Sequence, residues 1–158
     1  MRISFLGITT ALATAMYVLE SFIPFPLPVG RWGFSNSLVL YTATTSGRDA
    51  ILVAAGKTIL GSIFSGRILS PTFWMGFFGS MAAAAVERLL FLLGFGYLGS
   101  SIAGSAVNNT VQMIIGAIII RSTSIFTLLP LFLGFGTVSA VANAYIAKAY
   151  ERVREVKG

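Results

Sequence analysis

Along this chain, long apolar stretches are broken by short clusters of Pro, Gly and charge, the residues that interrupt helices. Cutting at those clusters predicts six helices, over about 3–23, 34–46, 48–65, 72–93, 100–120 and 125–150. The connections read "PFPLPVGRWG", "SGRILSP", "GFGYLGS" and "RSTS", and "SGRDA" opens the third helix. No charged residue occurs between Arg88 and Arg121, a stretch longer than the ~20 residues of one membrane span. The pattern is that of an all-α integral membrane protein, one six-transmembrane-helix bundle filling residues 1–158.

Composition agrees. The chain is 56% hydrophobic and 10% charged, with mean hydropathy +0.86, whereas a soluble domain is roughly one-quarter charged. The first apolar segment is longer than a signal-peptide core and runs into "PFPLP" rather than a small-residue cleavage site, so it is expected to stay as the first helix. The net charge of +6 does not point to nucleic acid, because the basic residues mostly flank apolar segments. Six spans place Arg2, Arg48, Lys148, Arg152, Arg154 and Lys157 on one side and Arg31, Arg67 and Arg121 on the other. By the positive-inside rule both termini are then cytoplasmic and the protein sits in the cell membrane.

Against this background the polar residues inside the spans stand out, since such residues usually face the bundle interior and mark a site. At 1.5 Å of rise per residue, Lys57 lies roughly 14 Å from the inner surface, near the midplane. By the same rule Glu20 lies roughly 25 Å up and Glu87 about 9 Å, so neither carboxylate is level with the lysine. Asn108 and Asn109, at roughly 12 to 14 Å, and Gln112, at roughly 18 Å, share its layer. Asn108 and Gln112 are four apart and lie on one helix face, from which their carbonyl oxygens can accept from an ammonium. A neutral amide does not cancel the charge. Either the lysine stretches toward a carboxylate, or it sits in a hydrated cavity, or an anionic ligand completes the pair, or it gives up its proton. The alternative to a ligand role is that lysine and amides cross-link helices. Glu87 and Arg88 are expected to pair locally near the inner interface.

The outer loop "PFPLPVGRWGFSN" carries Arg31, Trp32 and Asn36. It reads either as an interfacial anchor or as a lid over an outward-facing pocket, with arginine attracting anions and aromatics stacking on a flat ligand. "SGRILSPTFW", with Arg67, repeats the combination on the same side. Small residues recur four apart at Ala11 and Ala15, at Ser80 and Ala84, and at Gly136, Ala140 and Ala144. Such stripes serve internal packing or dock another membrane subunit, and the smooth first helix is the docking candidate.

The segments "ALATAMYVLESFIPFPLP", "WGFSNSLVL", "GRDAILVAAGKTILGSIFSG", "ILSPTFW" and "GSAVNNTVQ" occur in an order that resembles the Gx transporter family, whose members often carry the label heptaprenyl diphosphate synthase component I. The resemblance covers roughly residues 8 to 145. Glu20, Pro24, Gly33, Asn36, Gly61, Ser70, Pro71, Asn108 and Gln112 match that family's polar and turn positions, while Lys57 stands where an arginine is usual. The family is similar to the substrate-binding S components of energy-coupling-factor transporters. That likeness implies a pocket opening outward beneath the loop after the first helix, and a first helix that docks on a transmembrane coupling subunit driven by ATPase subunits. The family's settings make an isoprenoid, quinone or flavin-related ligand conceivable.

Catalysis is not expected. The chain has no Cys, which removes cysteine nucleophiles and thiolate metal sites, and no His, the commonest general base and metal ligand. Prenyl synthases hold diphosphate through magnesium on aspartate clusters, and here Asp49 is the single aspartate, placed to cap a helix start. "GKTILGS" lacks the spacing of a phosphate loop. The expected function is substrate capture for an ATP-coupled uptake transporter, with no cofactor. Its expected ligand-binding residues are Glu20, Arg31, Trp32, Asn36, Lys57, Arg67, Asn108, Asn109 and Gln112, and its partner-docking residues are Ala11 and Ala15. The alternative is a non-transport accessory membrane subunit of an isoprenoid, quinone or flavin-linked electron-transfer system.

Overall fold

The computed structural model describes residues 2–26 and 31–157, and within them the chain forms six α-helices. They are α1 (Arg2–Glu20), α2 (Asn36–Thr45), α3 (Gly47–Phe64), α4 (Pro71–Leu92), α5 (Tyr97–Ile120) and α6 (Leu129–Lys157). No strand occurs among the described residues. Part of the expected proline-rich lid, residues 27–30, lies outside them.

Local chemistry sets the boundaries. α1 stops at Glu20, short of the expected residue 23, because the next three N–H groups turn back on carbonyls three residues earlier. Ser70 caps α4, its Oγ accepting from Phe73 N at 3.2 Å, and Pro71 follows at the first helical position, where no N–H is needed. Gly94, at φ 85°, ends α4, and Phe95 N then donates to Leu90 O at 2.9 Å. The expected helix 125–150 is divided: a 3-10 turn, Thr123–Leu128, precedes α6, which carries Pro130 in its first turn. α6 then runs through the basic tail to Lys157.

Four helical segments are long and apolar enough to cross a membrane: Ile3–Glu20, Pro71–Leu92, Tyr97–Ile120 and Thr123–Glu155. α3 carries Arg48, Asp49 and Lys57 within its 18 residues. α2 has 10 residues and is about 15 Å long, half of a ~30 Å hydrocarbon layer. Its sequence is not amphipathic because its surroundings are not. It packs against α1, α3, α4, α5 and α6, and every residue from Ser37 to Ala43 is buried. The bundle is therefore five helices arranged around a short central one.

The surface is inverted relative to a water-soluble protein. Ile8, Leu52, Ile63, Leu89, Ile118 and Val138 are exposed, while Thr9, Lys57, Ser62, Glu87, Ser100 and Asn143 are buried. Of the small-residue stripes, Ser80, Ala84, Ala140 and Ala144 are buried in packing, whereas Ala11 and Ala15 face outward.

α5 is joined to α6 by a ladder with a repeat of four residues. Ser101 Oγ donates to Ala140 O at 2.8 Å, Ser105 Oγ to Gly136 O at 2.9 Å, and Asn109 Nδ2 to Phe132 O at 2.9 Å. Three side chains on one face of α5 thus meet three carbonyls on one face of its antiparallel neighbour. Gly136 has no side chain because one would overlap Asn109.

Candidate functional site

The start of α2 gathers the charges. Ser35, its N-cap residue, makes no side-chain cap of its own. Glu20, reaching across from the end of α1, does that work: Oε2 accepts from Gly33 N at 3.1 Å, and Oε1 accepts from Ser35 N. A carboxylate there satisfies N–H groups that the helix cannot and matches the positive end of its dipole. Lys57 comes to the same place from α3. Its Nζ donates to Ser35 Oγ at 3.3 Å and to Asn36 Oδ1. Ser35 therefore links the two charged residues, with its N–H on the carboxylate and its hydroxyl on the ammonium. An ammonium has three N–H donors, and these two bonds leave one for the adjoining space.

That space is a cavity of about 40 Å³, room for a few water molecules. Besides Glu20, Asn36 and Lys57 it is lined by Tyr17, Arg31, Ser80, Asn108 and Gln112, so five helices contribute. Glu20 is the one carboxylate among the described lining residues, against Arg31, Lys57 and the N-terminus of α2. The cavity therefore favours an anion. Gly79 on α4 makes room for Asn108, whose Oδ1 is where a β-carbon would fall. Asn108 Oδ1 is buried with no hydrogen-bond partner.

Arg31 divides this cavity from two others. Its guanidinium lies 3.7 Å over the Tyr17 ring, whose hydroxyl is 2.8 Å from Ser62 Oγ, and its Nη1 is buried without a partner. A second cavity, about 20 Å³, runs from Arg31 to the aromatic group of Phe25, Trp32, Phe132 and Phe135, with Asn109 and Asn143 on its polar side. A third, about 30 Å³, lies between Arg31, Arg67 and Gln112. Arg67 is exposed, so this third cavity leads to the surface.

The nine expected binding residues thus all line one or more of three cavities that share Arg31. Their roles differ from those expected. Glu20 is buried within the bundle, where it tethers α2. The amides of α5 do not hold the ammonium: Lys57 bonds to Ser35 and Asn36, while Asn109 belongs to the ladder with α6. Trp32 stacks on Phe34 and donates Nε1 to Pro24 O at 3.1 Å, so one face of its ring is occupied from within the chain. Glu87 and Arg88 do not pair. Glu87 is buried against Gly104 of α5, and Arg88 Nη1 donates to Ala43 O and Thr44 O at the end of α2. Asp49 lies in the first turn of α3, whose N-cap is Ser46.

Tyr17, Ser35, Ser80 and Asn143 were not among the expected site residues. Asn143 sits in an apolar run and answers to the rule that flagged Asn108. Tyr17 is three residues before Glu20 and so shares its helix face. Ser35 and Ser80 carry no signal that separates them from ordinary helix-packing serines.

The tether gives a direct expectation. Glu20→Ala removes the acceptor of two N–H groups and should cost about 2–4 kcal/mol, whereas Glu20→Gln keeps one carbonyl oxygen and should cost less. Apparent melting temperatures of the two variants in detergent would show the order, and equal values would refute the tether.

The family model for heptaprenyl diphosphate synthase component I matches residues 9–150. No curated protein and no solved structure matches the chain.

Proposed function

The chain belongs to the heptaprenyl diphosphate synthase component I family, and from that membership and its cationic central cavity we propose that it is a membrane-embedded subunit that captures a small molecule. The reading makes it a six-helix bundle similar to the S component of an energy-coupling-factor transporter. Its cavity opens outward, on the side of Arg31 and Arg67, and both termini are cytoplasmic. It is not an enzyme: its role is to bind, and a transmembrane coupling subunit with ATPase subunits supplies the energy. The outward Ala11 and Ala15 face of α1 is the surface assigned to that coupling subunit.

The observation that carries this reading is the set of donors around one buried space. Arg31 Nη1 has no partner, Lys57 has an N–H to spare, and Glu20 is already engaged by α2. Buried groups left in this state are costly, and a bound anion would satisfy them. The second reading, an accessory membrane subunit of an isoprenoid, quinone or flavin-linked system without transport, has its isoprenoid part from the synthase component in the family's description.

Isolation from native membranes in mild detergent, followed by mass spectrometry of proteins and small molecules, separates the two. The capture reading expects a bound organic anion together with coupling and ATPase subunits. A stable complex with a prenyl synthase or a redox subunit, without ATPases, would establish the second.

A further inference from the structure

The three cavities are too small for a metabolite as they stand, since ligand sites usually measure about 300–1,000 Å³. They are nevertheless different in kind, and they share walls. The first and second have Arg31, Gly33, Asn36 and Asn108 in common. Lys57, with its third N–H, lines the first cavity and not the second, and Arg31, with Nη1 unpartnered, lines both. The second adds an acceptor of its own. Asn143 is buried, its Nδ2 donates to Gly33 O at 3.0 Å, and its Oδ1 has no partner. Because that bond fixes which way the amide points, the atom left over is the oxygen. Asn108 Oδ1, in the shared wall, is unpartnered as well. The second cavity is also lined by the rings of Phe25, Trp32 and Phe135, with Phe25 and Trp32 centroids 5.4 Å apart.

A ligand is the complement of what a site leaves unmet. Resting on the capture reading, we propose that the captured molecule has two unlike ends: an anionic group held between Lys57 and Arg31, and a planar ring bearing an N–H or O–H donor that lies among the aromatic side chains and donates to Asn143. Arg31 and Trp32 adjoin Gly33, which is clamped on one side by Glu20 and on the other by Asn143. Displacing those two side chains joins the compartments while Gly33 holds the start of α2 in place. An isoprenoid chain would leave Asn108 and Asn143 unmet, so a prenyl phosphate is not the cargo.

The test is calorimetric titration of the full chain in lipid nanodiscs, with empty nanodiscs as reference, using four probes. Indole-3-acetate has ring, donor and anion; naphthalene-1-acetate lacks the donor; indole lacks the anion; farnesyl phosphate has the anion on an isoprenoid chain. Indole-3-acetate should bind about tenfold more tightly than naphthalene-1-acetate, the usual effect of one unmet buried bond, and at least a hundredfold more tightly than indole, which leaves two buried cations without their anion. Asn143→Leu should erase the preference over naphthalene-1-acetate. Because that variant also loses the bond to Gly33, the comparison of the two probes on the unaltered chain decides the matter if it fails to fold. Farnesyl phosphate binding best, or no preference among the ring probes, overturns the two-ended ligand and leaves capture standing. Failure of all four to bind overturns both.

Discussion

Lys57→Met is expected to abolish binding of indole-3-acetate while leaving the protein folded. Methionine keeps the length and apolar character of the stem, so packing on α3 is little disturbed. The two acceptors left behind are not stranded equally. Asn36 Oδ1 still has Ser80 Oγ at 3.4 Å, and Ser35 Oγ can turn as a hydroxyl to another acceptor. Glu20 keeps its two backbone donors. For the ligand, by contrast, the anion loses a buried charged partner, an effect of about 3–5 kcal/mol or at least a hundredfold in affinity. Calorimetry and a melting curve on the same preparation read the two consequences together. Unchanged affinity would reject the anion role, and an unfolded variant would show that the ammonium is there to cross-link α3 to α2.

Gly136→Leu should have the larger effect on folding. A β-carbon at that position would overlap Asn109 and lie 2.8 Å from Ser105 Oγ, so α5 and α6 must separate or tilt. Separation would break two steps of the ladder together, and overpacking adds its own cost, giving about 3 kcal/mol in sum. Most of the protein is then expected to elute as aggregate in size-exclusion chromatography in detergent. Gly134→Leu is the control, because nothing stands within 4 Å of a β-carbon there. Equal behaviour of the two variants would deny the ladder its structural role.

Much of the helix layout was legible in the sequence because its stops are chemically explicit. Pro71 behind a capping serine and Gly94 at positive φ mark their positions whatever packs around them. Rise per residue places backbones along straight spans and does not show where side chains reach. The short second helix was counted as one of six crossings. α2 is half that length, so its start lies where the α1 carboxylate and the α3 ammonium both reach Ser35. The residues that line the cavities were largely legible, since a charge or amide in an apolar run announces itself. Which of them bond to one another was not: Lys57 meets Asn36, and Asn109 meets α6, because tertiary packing alone decides between equally eligible partners.

Both ends of α2 are finished by other helices: Glu20 of α1 meets the N–H groups of Gly33 and Ser35 at its entry, and Arg88 of α4 meets the carbonyls of Ala43 and Thr44. At the ends of a short helix buried inside the bundle, those two side chains stand in for solvent. This constrains biogenesis. Arg88 leaves the ribosome well after α2 does, so α2 has no finished C-terminal end until α4 has been made. A nascent chain halted after α3 should hold residues 36–45 in a protease-sensitive state, and release of α4 should seal it.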